Sequence, residues 1–406
     1  MVALLFVAAI IAYTDRQVLS LLVDPVRADL GLSDGDLALL MGPAFALVYG
    51  VAGVPLGFAV DRLSRTRLLC AGIAVWAAGT IACGLAPDFA SLFAARLVVG
   101  LGEAVLSPAA ISLIADHFPA QRRSTAVGVY FTGIAIGIGG GILIGGLAIE
   151  LVRGGLFAGT PVAAMAEWRL VMLALGLPSL AFGLLFLAVP EPPRQGEVAA
   201  DGPQVSLPRF VIGMAALFLA AATASLVDNA VGAWAPSLLI RQFGMDEVAV
   251  GRQLGLGLML GYGGGMLAGG WLADCCARRF GAAGKPALCL VAMLATMPAA
   301  LALDGGSAAA VLWAVPVYFA LSAVVTAAGL SAIVDAAPAA SRGAVTAISF
   351  FLNVAIGAGV GPGLVVWVDA ALPGGLGPAL SASVIGCYAL AALALAAHLV
   401  QERRHG

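Results

Sequence analysis

Gly57-Phe58-Ala59-Val60-Asp61-Arg62-Leu63-Ser64-Arg65-Thr66-Arg67 separates two apolar runs, residues 36 to 60 and 68 to 86. Within this stretch the chain passes from apolar residues to one acid and three arginines and back again. So abrupt a change marks the end of a hydrocarbon-spanning segment, and the arginines mark the side of the membrane on which basic loops collect. The stretch has an echo: Gly270-x-x-x-Asp274, with Arg278 and Arg279 behind it, closes a later apolar run, 249 to 273. A second echo joins Asp116-His117-Phe118-Pro119-Ala120-Gln121-Arg122-Arg123-Ser124 to Asp335-Ala336-Ala337-Pro338-Ala339-Ala340-Ser341-Arg342-Gly343, where Asp, Pro and Arg recur in register. Equivalent loops in the two halves predict a duplicated architecture.

Composition fixes the solvent. Of 406 residues, 62% are hydrophobic and 10% charged, against about 25% charged in a soluble domain. Helices and closed barrels alone satisfy every backbone group in lipid, and barrels read as short alternating strands. Here the apolar runs are long and unbroken, so the fold class is an all-α membrane protein. Twelve runs approach the ~20 residues needed to cross a ~30 Å hydrocarbon layer: 2 to 23, 36 to 60, 68 to 86, 89 to 115, 124 to 151, 169 to 189, 208 to 236, 249 to 273, 286 to 303, 308 to 335, 343 to 369 and 380 to 400. The polar stretch from Pro190 to Pro208 divides them six and six. We therefore expect two pseudo-symmetric six-helix bundles, 1–189 and 208–406, joined by a linker, 190–207.

Thirteen of the 20 lysines and arginines fall in the even-to-odd loops and the C-terminal tail, and five fall in the opposite loops. That bias places both termini and the linker in the cytoplasm, and the expected location of the helical, multi-pass chain is the cell inner membrane. The first run carries Asp15 and Arg16 and has no small-residue cleavage site, so it reads as a retained helix rather than a signal peptide. The six cysteines lie in or beside apolar segments without C-x-x-C spacing, and read as small apolar residues. His117, His398 and His405 fall at loop or tail positions, which argues against a histidine relay inside the membrane. Nearly balanced charge leaves no nucleic-acid footprint, and no phosphate-cradling loop points to ATP. An intramembrane enzyme would need a nucleophile, base or metal constellation, and none is present. No cofactor is expected, and the expected state is a monomer among membrane lipids.

Charges inside the runs are the functional candidates. Each costs about 2.5 to 3.5 kcal/mol near the bilayer centre on insertion scales. The first half holds Asp15 and Arg16 in run one, and Arg96 and Glu103 in run four. Arg96 and Glu103 are seven positions apart, so they share a helix face about 10 Å apart along the axis. The quartet reads either as a coupling and substrate site or as a neutral staple between helices, and apolar packing would staple at less cost. Asp15 and Glu103 are the candidate proton carriers, and Arg16, Arg96 and Tyr13 the candidate substrate contacts. In the second half Asp228, beside Asn229, is either a cavity contact or a helix-terminal group, and Asn353 and Ser349 are weaker cavity candidates. Tyr49, Tyr130 and Phe131 are placed in the cavity or at the lipid interface. Glycine crowding in runs five and eleven reads as close helix packing or as a pliable interface.

The opening stretch resembles the signature loop of the major facilitator superfamily, with Ser64 in place of the usual second glycine, and the duplicated twelve-run layout extends the likeness to the whole chain. The resemblance implies that this loop is a cytoplasmic gate, with Gly57 at a helix contact, Asp61 capping a helix of the other half, and Arg62 and Arg65 beside it. Arg96-Leu97-Val98-Val99-Gly100-Leu101-Gly102-Glu103-Ala104 resembles the family's second motif, associated with proton-coupled members. Gly361-Pro362 is similar to the antiporter motif, but run five lacks the proline, so antiport does not follow. Tyr13-Thr14-Asp15-Arg16 together with Gly102-Glu103-Ala104 resembles the Spinster branch, here as a bacterial member, whose better-known members move lysophospholipids and sphingoid phosphates. The resemblance implies a secondary active transporter working by alternating access, with protons and a small amphipathic or lipid substrate as partners. Transport of a small organic anion or drug, and a non-transporting receptor on the same fold, stay open beside it.

Overall fold

The computed structural model describes residues 1–194, 210, 213–304, 306–337, 342–372 and 374–405. Among these the regular elements are all helices. In chain order they are α1 (Val2–Leu21), α2 (Val23–Leu30), α3 (Asp34–Met41), α4 (Pro43–Arg62), α5 (Arg65–Leu85), α6 (Phe89–Glu103), α7 (Leu106–His117), α8 (Ala120–Arg153), α9 (Glu167–Gly183), α10 (Ala215–Phe243), α11 (Glu247–Phe280), α12 (Gly284–Ala295), α13 (Met297–Ala302), α14 (Ala308–Ala336), α15 (Arg342–Leu352), α16 (Gly359–Ala371) and α17 (Leu376–His405). Among the described residues eleven stretches are long and apolar enough to cross a membrane. One of them, Glu247–Ala302, has 56 residues and would be about 84 Å long as a single helix. It holds α11 and the α12–α13 pair, so the twelve expected crossings are present.

Several crossings are broken, and proline explains where. Pro108 has no N–H to give the Ala104 carbonyl and its ring crowds that turn. The fourth crossing accordingly breaks between α6 and α7 at Ala104–Val105, immediately after Glu103. Pro362 disturbs the Ala358 carbonyl in the same way, and Asn353–Ala358 is a π-helical turn between α15 and α16. Pro43 starts α4 directly after Gly42, which ends α3.

By contacts the chain divides into two units, Met1–Gly196 with Leu239–Met259, and Glu197–Leu238 with Leu260–Gly406. In the first unit α1 lies in a groove on α8. A Cβ on Gly133 would stand 2.7 Å from the Phe6 carbonyl oxygen, on Gly137 2.7 Å from the Tyr13 Cβ, and on Gly141 2.9 Å from the Thr14 Cα. Glycines at every fourth position thus let the two backbones approach where larger residues would separate them. The core between α1, α5, α6 and α7 is filled by Leu5, Ala12, Ile73, Trp76, Val99 and Leu113. Still within this unit, Arg241 holds Asp24 at 2.5 Å and Asp34 at 2.8 Å.

In the second unit Gly357 and Gly361 serve the same end between α10 and the eleventh crossing. A Cβ on Gly357 would meet the Ser225 Oγ at 1.9 Å, and one on Gly361 the Leu226 carbonyl at 2.6 Å. The linker expected at 190–207 lies outside the described residues from 195 onward, as does the Pro338 to Ser341 part of the repeated loop.

Candidate functional site

Four charged side chains of the first unit meet where α1 passes α4, α5 and α6. Asp15 and Arg16 are adjacent, so their side chains diverge by about 100° around α1. Arg16 points toward Glu103 and donates from Nε to Oε2 at 2.6 Å. Asp15 points the other way, toward α5, where the Thr80 hydroxyl reaches its Oδ2 at 3.4 Å. The sequence expectation that helix one brings both residues toward Arg96 and Glu103 therefore resolves into one direct pair, Arg16 with Glu103. Asp15 stays within electrostatic reach of Glu103 and Arg96 without bonding to either.

Arg96 does not bond to Glu103. Its Nε donates to the Leu40 carbonyl at 3.3 Å, one of the last carbonyls of α3, which Gly42 and Pro43 leave without intrahelical donors. A cation at a helix C-terminus is favourably placed. Arg96 is 4% exposed, Asp15 2% and Glu103 1%. Arg16 differs from the other three: its side chain is 19% exposed. Its guanidinium carbon lies 4.2 Å from the centre of the Phe45 ring, 4.6 Å from Tyr13 and 5.0 Å from Tyr49. Aromatic faces around a desolvated cation add about 2 kcal/mol or more of attraction. Arg16 is thus the more exposed of the two cations of this quartet.

Three polar atoms around this cluster are buried with no hydrogen-bond partner among the described residues: Asp15 Oδ1, Glu103 Oε1 and Trp76 Nε1. Buried acceptors are nearly always satisfied, and an orphan costs about 1 to 3 kcal/mol. Gly100 and Gly102 make the site possible, because a Cβ on Gly100 would stand 2.6 Å from the Phe45 carbonyl, and on Gly102 2.4 Å from the Trp76 amide nitrogen. Tyr130 is fully buried with its hydroxyl 2.9 Å from Ser107 Oγ.

The signature loop divides in two. Asp61 and Arg62 are exposed, while Arg65 is fully buried. Arg65 binds Asp116, the Ser112 hydroxyl at 3.1 Å, Glu191 at 2.7 Å and the Pro192 carbonyl at 2.9 Å. Glu191 also accepts from the Thr66 amide at 3.0 Å, capping the start of α5. Burial pushes the Glu191 carboxyl up, but the Thr66 amide, the Arg65 guanidinium and the Ser64 hydroxyl outweigh it and hold it down at about 2. Among the described residues no atom lies within 4 Å of where a Cβ on Gly57 would stand.

In the second unit Asp228 is a mid-helix group of α10 and not a helix-terminal one. Its Oδ1 accepts from the Tyr318 hydroxyl at 2.8 Å and the Ser322 hydroxyl at 2.6 Å. Asn353 stands at the start of the π turn, where its carbonyl accepts from Ser225 at 2.9 Å. The hydroxyls of Tyr318 and Ser322, like Phe45 and Thr80, carried no signal inside apolar runs. Phe45 was the most legible of them, one turn before Tyr49 on the same face of α4.

Comparison with known proteins agrees with this layout. The Major Facilitator Superfamily model matches residues 5–362. The protein spinster homolog 1 of Bos taurus is 31% identical over 252 residues, 59% of this chain and 45% of the relative. The chain thus spans less than half the length of the spinster homologue it matches. A probable L-galactonate transporter of Escherichia coli is 33% identical over 135 residues, 33% of this chain and 30% of that protein. The crystal structure of a bacterial homolog of the human lysosomal transporter Spinster, inward-facing and occupied, superposes with a TM-score of 0.79 at 25% identity, covering 98% of this chain and 94% of that one. Since the family match runs through both halves of the fold, the chain belongs to the Major Facilitator Superfamily, as a multi-pass membrane protein similar to Spinster proteins.

Proposed function

We propose that this transporter is a proton-coupled secondary carrier that works by alternating access and moves an amphipathic organic substrate with an anionic headgroup. The observation that carries the reading is the Arg16–Glu103 pair, at 2.6 Å with Glu103 fully buried. A headgroup that draws Arg16 away leaves Glu103 as an uncompensated buried charge, at a cost of several kcal/mol. A proton on Glu103 removes that cost. Headgroup and proton therefore favour each other's binding, which is a coupling free energy between two sites. Asp15, with its own orphan oxygen, is the second proton carrier. Arg16 and Tyr13 bind the headgroup, with Arg96 behind them, and Asp228 and Asn353 are substrate contacts of the second half.

A lysolipid or sphingoid-like substrate follows from the Spinster likeness. A second reading, a small organic anion such as a sugar acid, is favoured by the similarity to a probable L-galactonate transporter. Asp61, Arg62 and Arg65 are proposed as the cytoplasmic gate, with Gly57 on the same helix end. The same proposal puts a monomer in the inner membrane with both termini in the cytoplasm.

Reconstitution in liposomes tests the reading, with a lysophospholipid and a sugar acid as separate arms under an imposed pH gradient. Wild type accumulates one of them, while Glu103→Gln and Asp15→Asn fold and bind substrate but no longer accumulate it. If both neutralised variants accumulate normally, the quartet is a structural staple; if wild type binds without accumulating, the protein is a receptor.

A further inference from the structure

Asp228 of α10 is a partly buried carboxyl with no ion-pair partner among the described residues. Hydroxyls take the place of a cation. Tyr318 and Ser322 of α14 both donate to Oδ1, at 2.8 and 2.6 Å. The Ser322 proton is committed to Asp228, so the 2.8 Å contact between Ser322 and Tyr388 of α17 is a donation from the Tyr388 hydroxyl. Tyr318, Ser322 and Tyr388 are all fully buried. The titratable groups that face Asp228 from the packed helices are Tyr318 and Tyr388, with Tyr262 of α11 behind Tyr388. Its neighbours on α10, Ser225 and Asn229, are uncharged and face the Asn353–Ala358 turn.

This arrangement fixes where a proton goes. A carboxyl oxygen has two acceptor positions, and both positions of Oδ1 are filled by hydroxyl donors. Oδ2 has neither donor nor cation among the described residues, and it is not among the buried orphan atoms. We propose that Asp228 is a second proton-binding site, separate from the Asp15–Glu103 cluster, which takes up and releases its proton at Oδ2 while the Tyr388–Ser322 chain and Tyr318 hold Oδ1 in place. The step is a simple protonation: carboxylate plus a proton from water gives the neutral acid, and the three hydroxyl bonds persist in both states. The inference deepens the proton-coupled reading above, but its measurement does not depend on transport.

Infrared difference spectra of the full chain in lipid, recorded across a pH series in H2O and D2O, test it. The protonated-carboxyl stretch is expected to contain a deuterium-sensitive, pH-dependent component that Asp228→Asn removes and the Asp15→Asn/Glu103→Gln double variant retains. Tyr318→Phe, which takes one donor from Oδ1, is expected to shift that component's frequency without removing it. Should Asp228→Asn fail to fold, Asp228→Glu serves instead, by displacing the component. The proposal is overturned if the spectrum of Asp228→Asn matches wild type, or if the component answers to sodium and not to pH. A component that is present while liposomes show no proton-driven accumulation keeps this site and removes the coupled-transport reading.

Discussion

Lys285 and Asp335 form an ion pair in the second unit, with Ser331 sharing the same ammonium at 2.6 Å. In the first unit Arg65 holds Asp116 and Ser112 in the same pattern. Each cation stands at the start of a crossing, and each Ser and Asp lie four positions apart, one turn, at the end of the next. The duplication visible in the loop sequences is therefore a duplication of contacts. The two copies differ in burial: Asp116 is 13% exposed as a side chain and Asp335 65%.

That difference predicts unequal costs. Removing one partner of a buried pair costs about 3 to 5 kcal/mol, and of an exposed pair about 0 to 1 kcal/mol. Arg65→Met is expected to lower the melting temperature in detergent far more than Lys285→Met. Arg65→Lys is expected to recover little, because one ammonium cannot span Asp116, Glu191 and the Pro192 carbonyl as the fork does. Equal losses for the two methionine variants would mean that the exposed Asp335 is worth as much as its buried counterpart.

Arg16 is predicted to act through substrate binding. Arg16→Ala is expected to weaken affinity by tenfold or more, about 1.4 kcal/mol or above. Arg16→Lys is expected to recover only part of it, since an ammonium loses the planar stacking on Phe45, Tyr13 and Tyr49. Direct binding measured by calorimetry checks this. Unchanged affinity in Arg16→Ala would remove the headgroup contact from the mechanism.

Asp61 is exposed and lies at the loop end of α4, away from the quartet. As a gate residue it affects cycling and not recognition. Asp61→Asn is expected to slow turnover while affinity stays within about threefold, a change under ~1 kcal/mol. Initial rates and binding measured on one preparation separate the two, and a variant with normal turnover would leave the loop only a topological role.

Glu191 gives a pH dependence whose sign is fixed. Its carboxyl sits at about 2, below the ordinary 4.5, so the folded state favours the ionised form. The stability it contributes is fully present above pH about 4.5 and is lost as the pH falls toward about 2. Thermal melts across that window are expected to show wild type losing its advantage over Glu191→Gln as the pH drops. Parallel curves for the two proteins would mean that Glu191 is not held by Arg65 and Thr66 in solution.

Gly357 is a packing prediction. Its missing Cβ would stand 1.9 Å from the Ser225 Oγ and 2.9 Å from the Ser225 Cβ. Gly357→Ala is expected to destabilise by about 1 to 3 kcal/mol, and Ser225→Gly to restore most of the loss in the double variant. Additive costs in a double-mutant cycle would show that some other neighbour resists the methyl group.

The crossings were legible because hydrocarbon leaves the chain so little freedom: each run had to be long, apolar and helical. The quartet was legible for the same reason, since Asp15, Arg16, Arg96 and Glu103 stand out in apolar runs. Which acid pairs with which arginine was not. That depends on the 100° step between Asp15 and Arg16 and on the freed Leu40 carbonyl that takes Arg96, and both are three-dimensional facts. Glu191 binds Arg65 across 126 residues, a distance no local pattern encodes.

The glycines of α8 carry a mechanical consequence for α1. Gly137 and Gly141 take the Tyr13 Cβ and the Thr14 Cα into spaces that a methyl group would fill. A helix seated on such a rail cannot swivel about its own axis, because a turn of the roughly 100° between neighbouring residues would drive side chains into the α8 backbone. The Cα–Cβ directions of Asp15 and Arg16 are therefore held against α8, while their side chains can still turn about their own bonds. Any change of partner at this site comes from those side-chain rotations, from Glu103 at its broken helix, or from what enters beside Arg16, and not from a turn of α1.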